Sequence, residues 1–211
     1  MTDNKGNHKL DPHYQKAKRE GYRARSAYKL LDIQKRYNIF KRAFKILDLG
    51  CAPGSWLQVT KKFAEDNIIK YNDQYYHRDN YIILGVDIKN VSPIEKVDIL
   101  RMDFTEPIFQ NKITSYFDGK IDLILSDASV NKSGNKFTDH LKQIHLCYAI
   151  LELAKIHLKY KGVLVMKTFQ GSDYDSLIRT FKPEFRILKT YKPASSKKRS
   201  NEIYLVGLQK K

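Results

Sequence analysis

Short apolar segments recur along this chain, and most of them end at, or lead directly into, a glycine, an acid or a lysine. They occupy residues 43–49, 81–87, 97–101, 121–127 and 162–167, and most are separated by predicted helices at 55–64, 106–116 and 138–159. Continuous apolar runs that alternate with helices are typical of a parallel sheet covered on both faces. Two later strands, 185–191 and 202–208, complete the predicted α/β architecture, a seven-stranded and mostly parallel sheet between two layers of helices.

The organisation of the chain predicts one domain that spans residues 1–211. Its length suits a single α/β domain, and its hydrophobic share of 42% is enough for a buried core. A basic N-terminal segment, 12–42, is predicted to form two helices before the first strand. The polar stretch 66–80 has neither a helical nor a strand period, so we interpret it as a loop insertion.

Several classes of protein are excluded by what the sequence lacks. Two cysteines, Cys51 and Cys147, are too few for a disulfide framework or a CxxC-type zinc site. No apolar run approaches the roughly 18 residues of a membrane-spanning helix, and residues 1–10 lack the apolar core of a secretory signal. We therefore expect a monomer in an intracellular, reducing compartment, without a membrane or a metal ion as partner. Cytoplasm, nucleolus and an organelle all stay open.

The net charge of +16 is concentrated at the two ends of the chain. Residues 5–45 carry 13 Lys and Arg against 3 acids, and residues 182–211 carry 9 against 2, whereas residues 46–181 carry 17 of each. Tyrosines are interleaved with the basic residues of segment 14–42, where they could stack on bases or simply pack on the domain. A solvated surface usually mixes the two signs, so this distribution favours contact with a nucleic acid over a role in solubility alone.

A glycine-containing loop, DLGCAPGSW at residues 48–56, follows the first strand. In sheets of this kind the ligand binds beyond the carboxyl ends of the strands, and Gly50 and Gly54 allow the backbone to approach it closely. Asp87, at the end of the second strand, has the usual position of a carboxylate that binds a ribose diol. Asp103, after the third strand, could accept from an adenine amino group. Either acid alone could be a strand-end cap, but the two acids and the loop together favour a nucleoside ligand.

The same loop argues against a dinucleotide. It lacks the GxGxxG spacing, Pro53 removes an amide that a pyrophosphate would need, and Asp48 brings a negative charge. An acid beside the loop suits a ligand that has an amine and no phosphate. S-adenosylmethionine is such a ligand, because it combines an adenosine with an α-amino group and a cationic sulfonium. A nicotinamide-linked oxidoreductase is the weaker alternative.

Asp127 ends the fourth strand and Lys167 ends the fifth, each directly after an apolar run. In the usual strand order both strands lie close to the first, so the two side chains should converge above the sulfonium. Desolvation would lower the pKa of Lys167 and a neighbouring carboxylate would raise it, so the sequence leaves the sign of the shift open. A purely structural ion pair between these residues is the alternative.

Five stretches of the chain, in order, carry a resemblance to a known family. They read EGYRARSAYKLL at 20–31, DLGCAPGSW at 48–56, LSDA at 125–128, VMK at 165–167 and KPASSKKRSNEIY at 192–204. Together they resemble the FtsJ-type family of S-adenosylmethionine-dependent RNA ribose 2′-O-methyltransferases, from about Asp11 to Gly207. The resemblance implies a Rossmann-like methyltransferase fold.

The resemblance also implies which residues act. A family tetrad of Lys, Asp, Lys and Glu falls on Lys29, Asp127, Lys167 and Glu202. We take Lys167 as the general base, oriented by the two acids, with Lys29 holding the target hydroxyl or a phosphate.

Cofactor contacts are implied at five positions, namely Gly54, Trp56, Asp87, Asp103 and Asp127. The loop's own residue pattern adds Asp48 and Gly50 to this set. The insertion at 66–80 and the cysteine at position 51 depart from the family pattern without touching a functional position.

The activity implied is methyl transfer from S-adenosylmethionine to a ribose 2′-hydroxyl of ribosomal RNA, with a uridine of the large-subunit RNA as the expected target. The partner is then rRNA or a pre-ribosomal particle. Two alternatives remain: a 2′-O-methyltransferase of the tRNA anticodon loop, and a non-catalytic RNA-binding factor in ribosome assembly.

Overall fold

Seven strands form one sheet in the computed structural model, which describes residues 11–71, 80–130, 133–197 and 199–211. They are β1 (Lys45–Leu49), β2 (Ile82–Asp87), β3 (Asp98–Arg101), β4 (Ile121–Ser126), β5 (Leu158–Phe169), β6 (Phe185–Tyr191) and β7 (Glu202–Lys210). The strand order is β3-β2-β1-β4-β5-β7-β6, and neighbours pair in parallel except β7, which is antiparallel to both β5 and β6. The predicted seven-stranded, mostly parallel sheet is confirmed.

Helices cover both faces of the sheet, as expected. The described helices are α1 (Pro12–Arg19), α2 (Ala27–Tyr37), α3 (Ser55–Tyr71), α4 (Ile108–Phe117), α5 (Lys136–His157) and α6 (Tyr174–Phe181), followed by a 3₁₀ turn at Lys182–Glu184. Among these helices, none is long and apolar enough to cross a membrane.

The core is divided by the sheet into two clusters of buried side chains. One cluster contains residues of α2 and α3 with Ile46, Leu125 and Val165, and the other contains residues of α4, α5 and α6 with their strand neighbours. Because side chains alternate along a strand, the polar residues two positions after Ile46 and Val165 face the same side as α2 and α3. These are Asp48 and Lys167, so the helix that carries Lys29 covers the face on which they lie.

Helix α3 is longer than the sequence predicted. The prediction ended this helix at residue 64 and began a loop insertion at 66, but the helix continues to Tyr71. Asn67 is the reason the pattern was misleading, because this polar residue is buried and its side-chain amide donates to the backbone oxygens of Phe40 (2.7 Å) and Ala43 (3.0 Å). The rest of the predicted insertion, up to residue 79, lies outside the described residues.

The boundary between α5 and β5 also differs from the prediction. The helix ends at His157 and the strand begins at Leu158, whereas we expected the helix to reach 159 and the strand to begin at 162. The prediction that this strand ends at Lys167 is also wrong, because it continues to Phe169 by pairing with β7. The register between β4 and β5 shifts between Ile121 and Leu123, so the early part of β5 pairs irregularly. Irregular pairing of this kind leaves no alternating pattern in the sequence.

Replacing Asn67 by alanine should lower the free energy of unfolding by about 1–3 kcal/mol, the usual cost of removing one partner from buried hydrogen bonds. The loss should appear in urea unfolding followed by circular dichroism. Asp66→Ala, at the exposed neighbouring position of the same helix, is the matched control and should change the free energy by less than about 0.5 kcal/mol. Equal effects of the two substitutions would contradict the anchoring role of Asn67.

Candidate active site

A cleft of about 230 Å³ lies where β1, β2, β3 and β4 end. Four residues of the predicted cofactor set line it: Gly50, Asp87, Asp103 and Asp127. The other three, Asp48, Gly54 and Trp56, are not part of its lining. The structure therefore brings most of the predicted set to one opening.

Gly50 is required where β1 meets this cleft. Its φ of +73° is a conformation that side chains other than glycine's rarely adopt, and a Cβ there would stand 2.6 Å from the Cα of Ala128. The ends of β1 and β4 therefore approach each other more closely than any residue other than glycine at position 50 would allow.

Arg23 holds the glycine loop against the segment that follows β2. Its guanidinium donates to the backbone oxygens of Pro53 (3.2 Å), Ser92 (2.7 Å) and Pro93 (2.8 Å). A Cβ on Gly54 would stand 2.6 Å from the same guanidinium, so the glycine makes room for this contact. An arginine of the basic N-terminal segment is thus part of the scaffold of the cleft.

Asp87 is held in a fixed orientation by backbone amides. One carboxylate oxygen accepts from the amide of Ala52 (2.9 Å) and the other from the amide of Lys89 (2.8 Å). Asp103 is exposed, and its Oδ1 accepts from the amide (2.9 Å) and hydroxyl (2.7 Å) of Thr105. The two acids are positioned before any ligand arrives.

Asp48 is fully buried, and neither of its carboxyl oxygens has a hydrogen-bond partner within the described residues. Burial, with the charges of Asp127 and Asp87 nearby, raises the pKa of this carboxyl well above its usual range. A positive charge in the cleft would relieve the repulsion among the three acids, whereas a phosphate would increase it. The acids therefore fit a cationic ligand such as S-adenosylmethionine.

Trp56 does not present its ring to the cleft. The side chain is 2% exposed, its Nε1 donates to the backbone oxygen of Ser26 (2.8 Å), and its ring centre lies 5.7 Å from that of Tyr204. A contact between Trp56 and a cofactor would have to use its backbone, in the first turn of α3. The implied role of Trp56 stays a prediction, and its indole serves packing.

The four residues of the predicted tetrad come together as two ion pairs. Lys29 Nζ lies 2.6 Å from Glu202 Oε1, and Lys167 Nζ lies 3.2 Å from Asp127 Oδ1. Lys167 also donates to the backbone oxygen of Asp127. All four side chains are at least four-fifths buried, so charge and hydrogen bonding here are stronger than at an open surface.

Tyr204, which no sequence motif indicated as a site residue, connects the two ion pairs. Its hydroxyl donates to Asp127 Oδ1 (2.6 Å), and Lys29 Nζ lies 5.8 Å from the centre of its ring. Burial and the charges of Asp127 and Glu202 raise the pKa of this phenol well above 10, so it donates at neutral pH and does not act as a base. The available sequence signal was its position two residues after Glu202 on one strand, which places both side chains on the same face of the sheet.

Comparison with known proteins gives matches over nearly the whole chain. Residues 22–210 match the model of the FtsJ-like methyltransferases. The ribosomal RNA large subunit methyltransferase E of Rickettsia felis is 40% identical over 95% of this chain and 85% of that protein. The protein of the same name from Rickettsia typhi is 41% identical over the same shares of both chains.

Solved structures agree with the fold. A crystal structure from Plasmodium falciparum, described as a ribosomal RNA methyltransferase, superposes with a TM-score of 0.74 at 31% identity, over 90% of this chain and 98% of that one. Aeropyrum pernix fibrillarin with bound S-adenosyl-L-methionine superposes with a TM-score of 0.52 at 15% identity, over 87% of this chain and 76% of that one. The second likeness concerns the fold alone.

Asp48→Asn should raise Tm of the ligand-free protein at pH 8 more than at pH 4. Because the folded-state pKa of Asp48 is raised, its favourable contribution is fully present below the unfolded pKa of about 4 and is lost as pH rises through the folded value. Asparagine is neutral at every pH and avoids that loss. For a chain of this size, each 1 kcal/mol of stability that the substitution restores should raise Tm by about 2–4 °C.

The measurement is thermal unfolding of both proteins across this pH range, with Asp66→Asn as an exposed control acid. The control should show the same Tm difference from the unsubstituted protein at both pH values. If the Tm difference between Asp48→Asn and the unsubstituted protein were the same at pH 4 and pH 8, the protonated state of this carboxyl would be contradicted.

Proposed function

The chain belongs to the FtsJ-like methyltransferase family, and from that premise we propose that it transfers a methyl group from S-adenosylmethionine to a ribose 2′-hydroxyl of ribosomal RNA. The observation that carries the proposal is the pairing of Lys29 with Glu202 and of Lys167 with Asp127 beside an acid-lined cleft. We propose a uridine of the large-subunit RNA as the target, which the name of the Rickettsia relatives supports at the level of the subunit.

S-adenosylmethionine, when bound, supplies an electrophilic methyl carbon on a positively charged sulfur. Asp87, oriented by the amides of Ala52 and Lys89, suits the ribose diol of the cofactor, and Asp103 suits its adenine amino group. Asp127, which lines the cleft, provides the negative charge that favours a sulfonium over an uncharged or anionic group. The cleft thus recognises the cofactor by hydrogen bonds at one end and by charge at the other.

Lys167 is the proposed general base. A ribose hydroxyl is a weak nucleophile near neutral pH, so its proton must leave as its oxygen bonds to the methyl carbon. The amine of Lys167 accepts that proton in its neutral form, while Asp127 fixes its position from both the side chain and the backbone. Tyr204, which donates to the same carboxylate, keeps Asp127 from rotating away.

Lys29 faces the substrate side of the tetrad. Its ammonium is held by Glu202 and lies over the ring of Tyr204, so its position is defined before RNA binds. From there it can donate to the target hydroxyl or to an adjacent phosphate.

RNA is the partner that this activity requires, and we propose that the protein acts on it as a monomer inside the cell, in a reducing compartment. Cys51 and Cys147 are both free and buried, which agrees with a protein that needs no disulfide. The exposed basic residues of α1 and of the segment after β6 supply the attraction for the polyanion.

Lys167→Ala should reduce turnover by a factor of about 10² or more, because the proton acceptor is lost, and should leave cofactor affinity nearly unchanged. Single-turnover transfer of a labelled methyl group and calorimetric titration with S-adenosylmethionine measure the two quantities. Lys161→Ala, an exposed lysine on the same strand, is the matched control and should keep full turnover. Normal turnover in Lys167→Ala would overturn the assignment of the base.

Depletion of the protein from its own cells should remove a 2′-O-methyl mark from large-subunit rRNA and leave tRNA marks intact. Mapping of 2′-O-methylated positions in total RNA checks this, and restoring the unsubstituted gene but not Lys167→Ala should bring the mark back. A lost anticodon-loop mark with complete rRNA marks would instead identify a tRNA enzyme. Loss of no mark, with no labelled methyl transfer in vitro, would indicate a non-catalytic binding factor.

A further inference from the structure

A second opening of about 320 Å³, which we call the recess, adjoins the tetrad. Lys29 and Glu202 line the recess, whereas Asp127 lines the cofactor cleft. The two openings share no lining residue. Because Tyr204 contacts both ion pairs, the tetrad lies between the cleft and the recess, and the recess is the side from which a substrate can reach it.

One wall of the recess belongs to the basic loop between β6 and β7, of which the structure describes residues 192–197 and 199–201. Ser195 anchors this loop to α2, because its amide (3.2 Å) and its hydroxyl (3.0 Å) both donate to Asp32 Oδ2. The Arg25 guanidinium donates to the backbone oxygen of Ser195 (2.6 Å), and Ser195 is only 2% exposed. A buried serine that is held from two sides fixes the middle of the loop.

The same loop is tied to the tetrad at its other end. The hydroxyl of Ser196 donates to Glu202 Oε1 (3.2 Å), and the amide of Glu202 donates to the hydroxyl of Ser200 (3.2 Å). Lys192 donates to the backbone oxygen of Ser200 (2.7 Å) and closes the base of the loop. The position of the loop and the position of the Glu202 carboxylate therefore depend on each other.

Serines make these anchoring contacts, and Lys197 and Arg199 of the loop are exposed. Within the described part of the chain, neither of these two residues forms an ion pair. The recess lining contains three cations and two serines, and its one acid, Glu202, is paired with Lys29. Arg25 is paired with Asp11, so Lys197 is the lining cation without an ion-pair partner among the described residues. Cations and hydroxyls around a small opening fit an anion with several acceptor oxygens.

We propose that the recess binds the RNA phosphodiester adjacent to the methylated ribose, and that Asp32 is a positioning residue that holds the basic loop for this contact. The inference rests on the proposed function, since it takes the anion to be RNA. It adds a location for the neighbouring phosphate and a role for a carboxylate that touches neither cofactor nor substrate.

The first test measures the salt dependence of binding to a labelled single-stranded RNA oligonucleotide. Each neutralised phosphate contributes about 0.7 to the slope of log affinity against log salt for a single strand. Lys197→Ala should therefore lower the slope by about 0.7. Lys112→Ala, an exposed lysine on α4, which contributes to neither opening, should keep the slope of the unsubstituted protein. Equal slopes for both variants would overturn the recess as a phosphate site.

The second test separates positioning from general stability. With unmethylated large ribosomal subunits as substrate, Asp32→Ala should raise KM about tenfold and Ser195→Ala should raise it less, because the serine variant keeps the amide bond. Both should raise KM by a larger factor than they lower kcat and should leave the affinity for S-adenosylmethionine within about twofold, and Asp32→Asn, which keeps an acceptor oxygen, should restore most of KM. Unchanged KM in Asp32→Ala, or equal losses of kcat, cofactor affinity and Tm, would overturn the positioning role.

The two proposals fail in different ways. If the unsubstituted protein transfers methyl groups to ribosomal RNA but Lys197→Ala binds RNA with an unchanged salt slope, the recess inference falls and the proposed function stands. If it transfers no methyl group to any RNA, the proposed function falls, and an unchanged salt slope in Lys197→Ala would overturn the recess separately.

Discussion

The antiparallel strand β7 is the constraint on which the site depends. Its register places Tyr204 opposite Lys167 and Glu202 opposite Phe169, and alternation turns Glu202 and Tyr204 to the same face as Lys167. A shift of one residue would turn both side chains to the face covered by α4, α5 and α6. Tyr204 then fixes the arrangement through Asp127, so the ends of β4, β5 and β7 are joined by one carboxylate.

The acids of the cleft are unfavourable for the protein on its own. Asp87 is stabilised by two backbone amides and Asp127 by Lys167 and Tyr204, but Asp48 has no hydrogen-bond partner within the described residues. A buried carboxyl in that position keeps its proton, because ionisation beside two other carboxylates in a low dielectric would cost several kcal/mol. A cationic ligand lowers the free-energy cost of ionising Asp48. The fold therefore holds a carboxyl whose negative charge becomes favourable when a sulfonium is present. A phosphate-binding loop could not provide such a group.

The buried strands were predictable from sequence, whereas the contacts that connect them were not. Asp87 follows an uninterrupted apolar run and is the last residue of β2, so this run indicated both the strand and its end. The run before Lys167 indicated the strand but not its end, because β5 continues to Phe169. Tyr204 and Ser195 gave no comparable local signal, because their partners Asp127 and Asp32 lie 77 and 163 positions away in the chain. The resemblance to the family supplied Lys29 and Glu202, which local reasoning treats as an ordinary helix lysine and a strand-edge acid.

The unequal distribution of charge has a more specific meaning in the structure than in the sequence. Arg23 donates to three backbone oxygens around the cleft, and Arg25 contacts Asp11 and Ser195. These arginines of the N-terminal segment serve the scaffold, so the net charge of that segment overstates what RNA can meet. We attribute the attraction for RNA to the exposed lysines and arginines around the recess and on α1. The acids that line the cofactor cleft do not line the recess, and each tetrad carboxylate is paired with a lysine. A polyanion and a cationic cofactor therefore meet two openings of different charge.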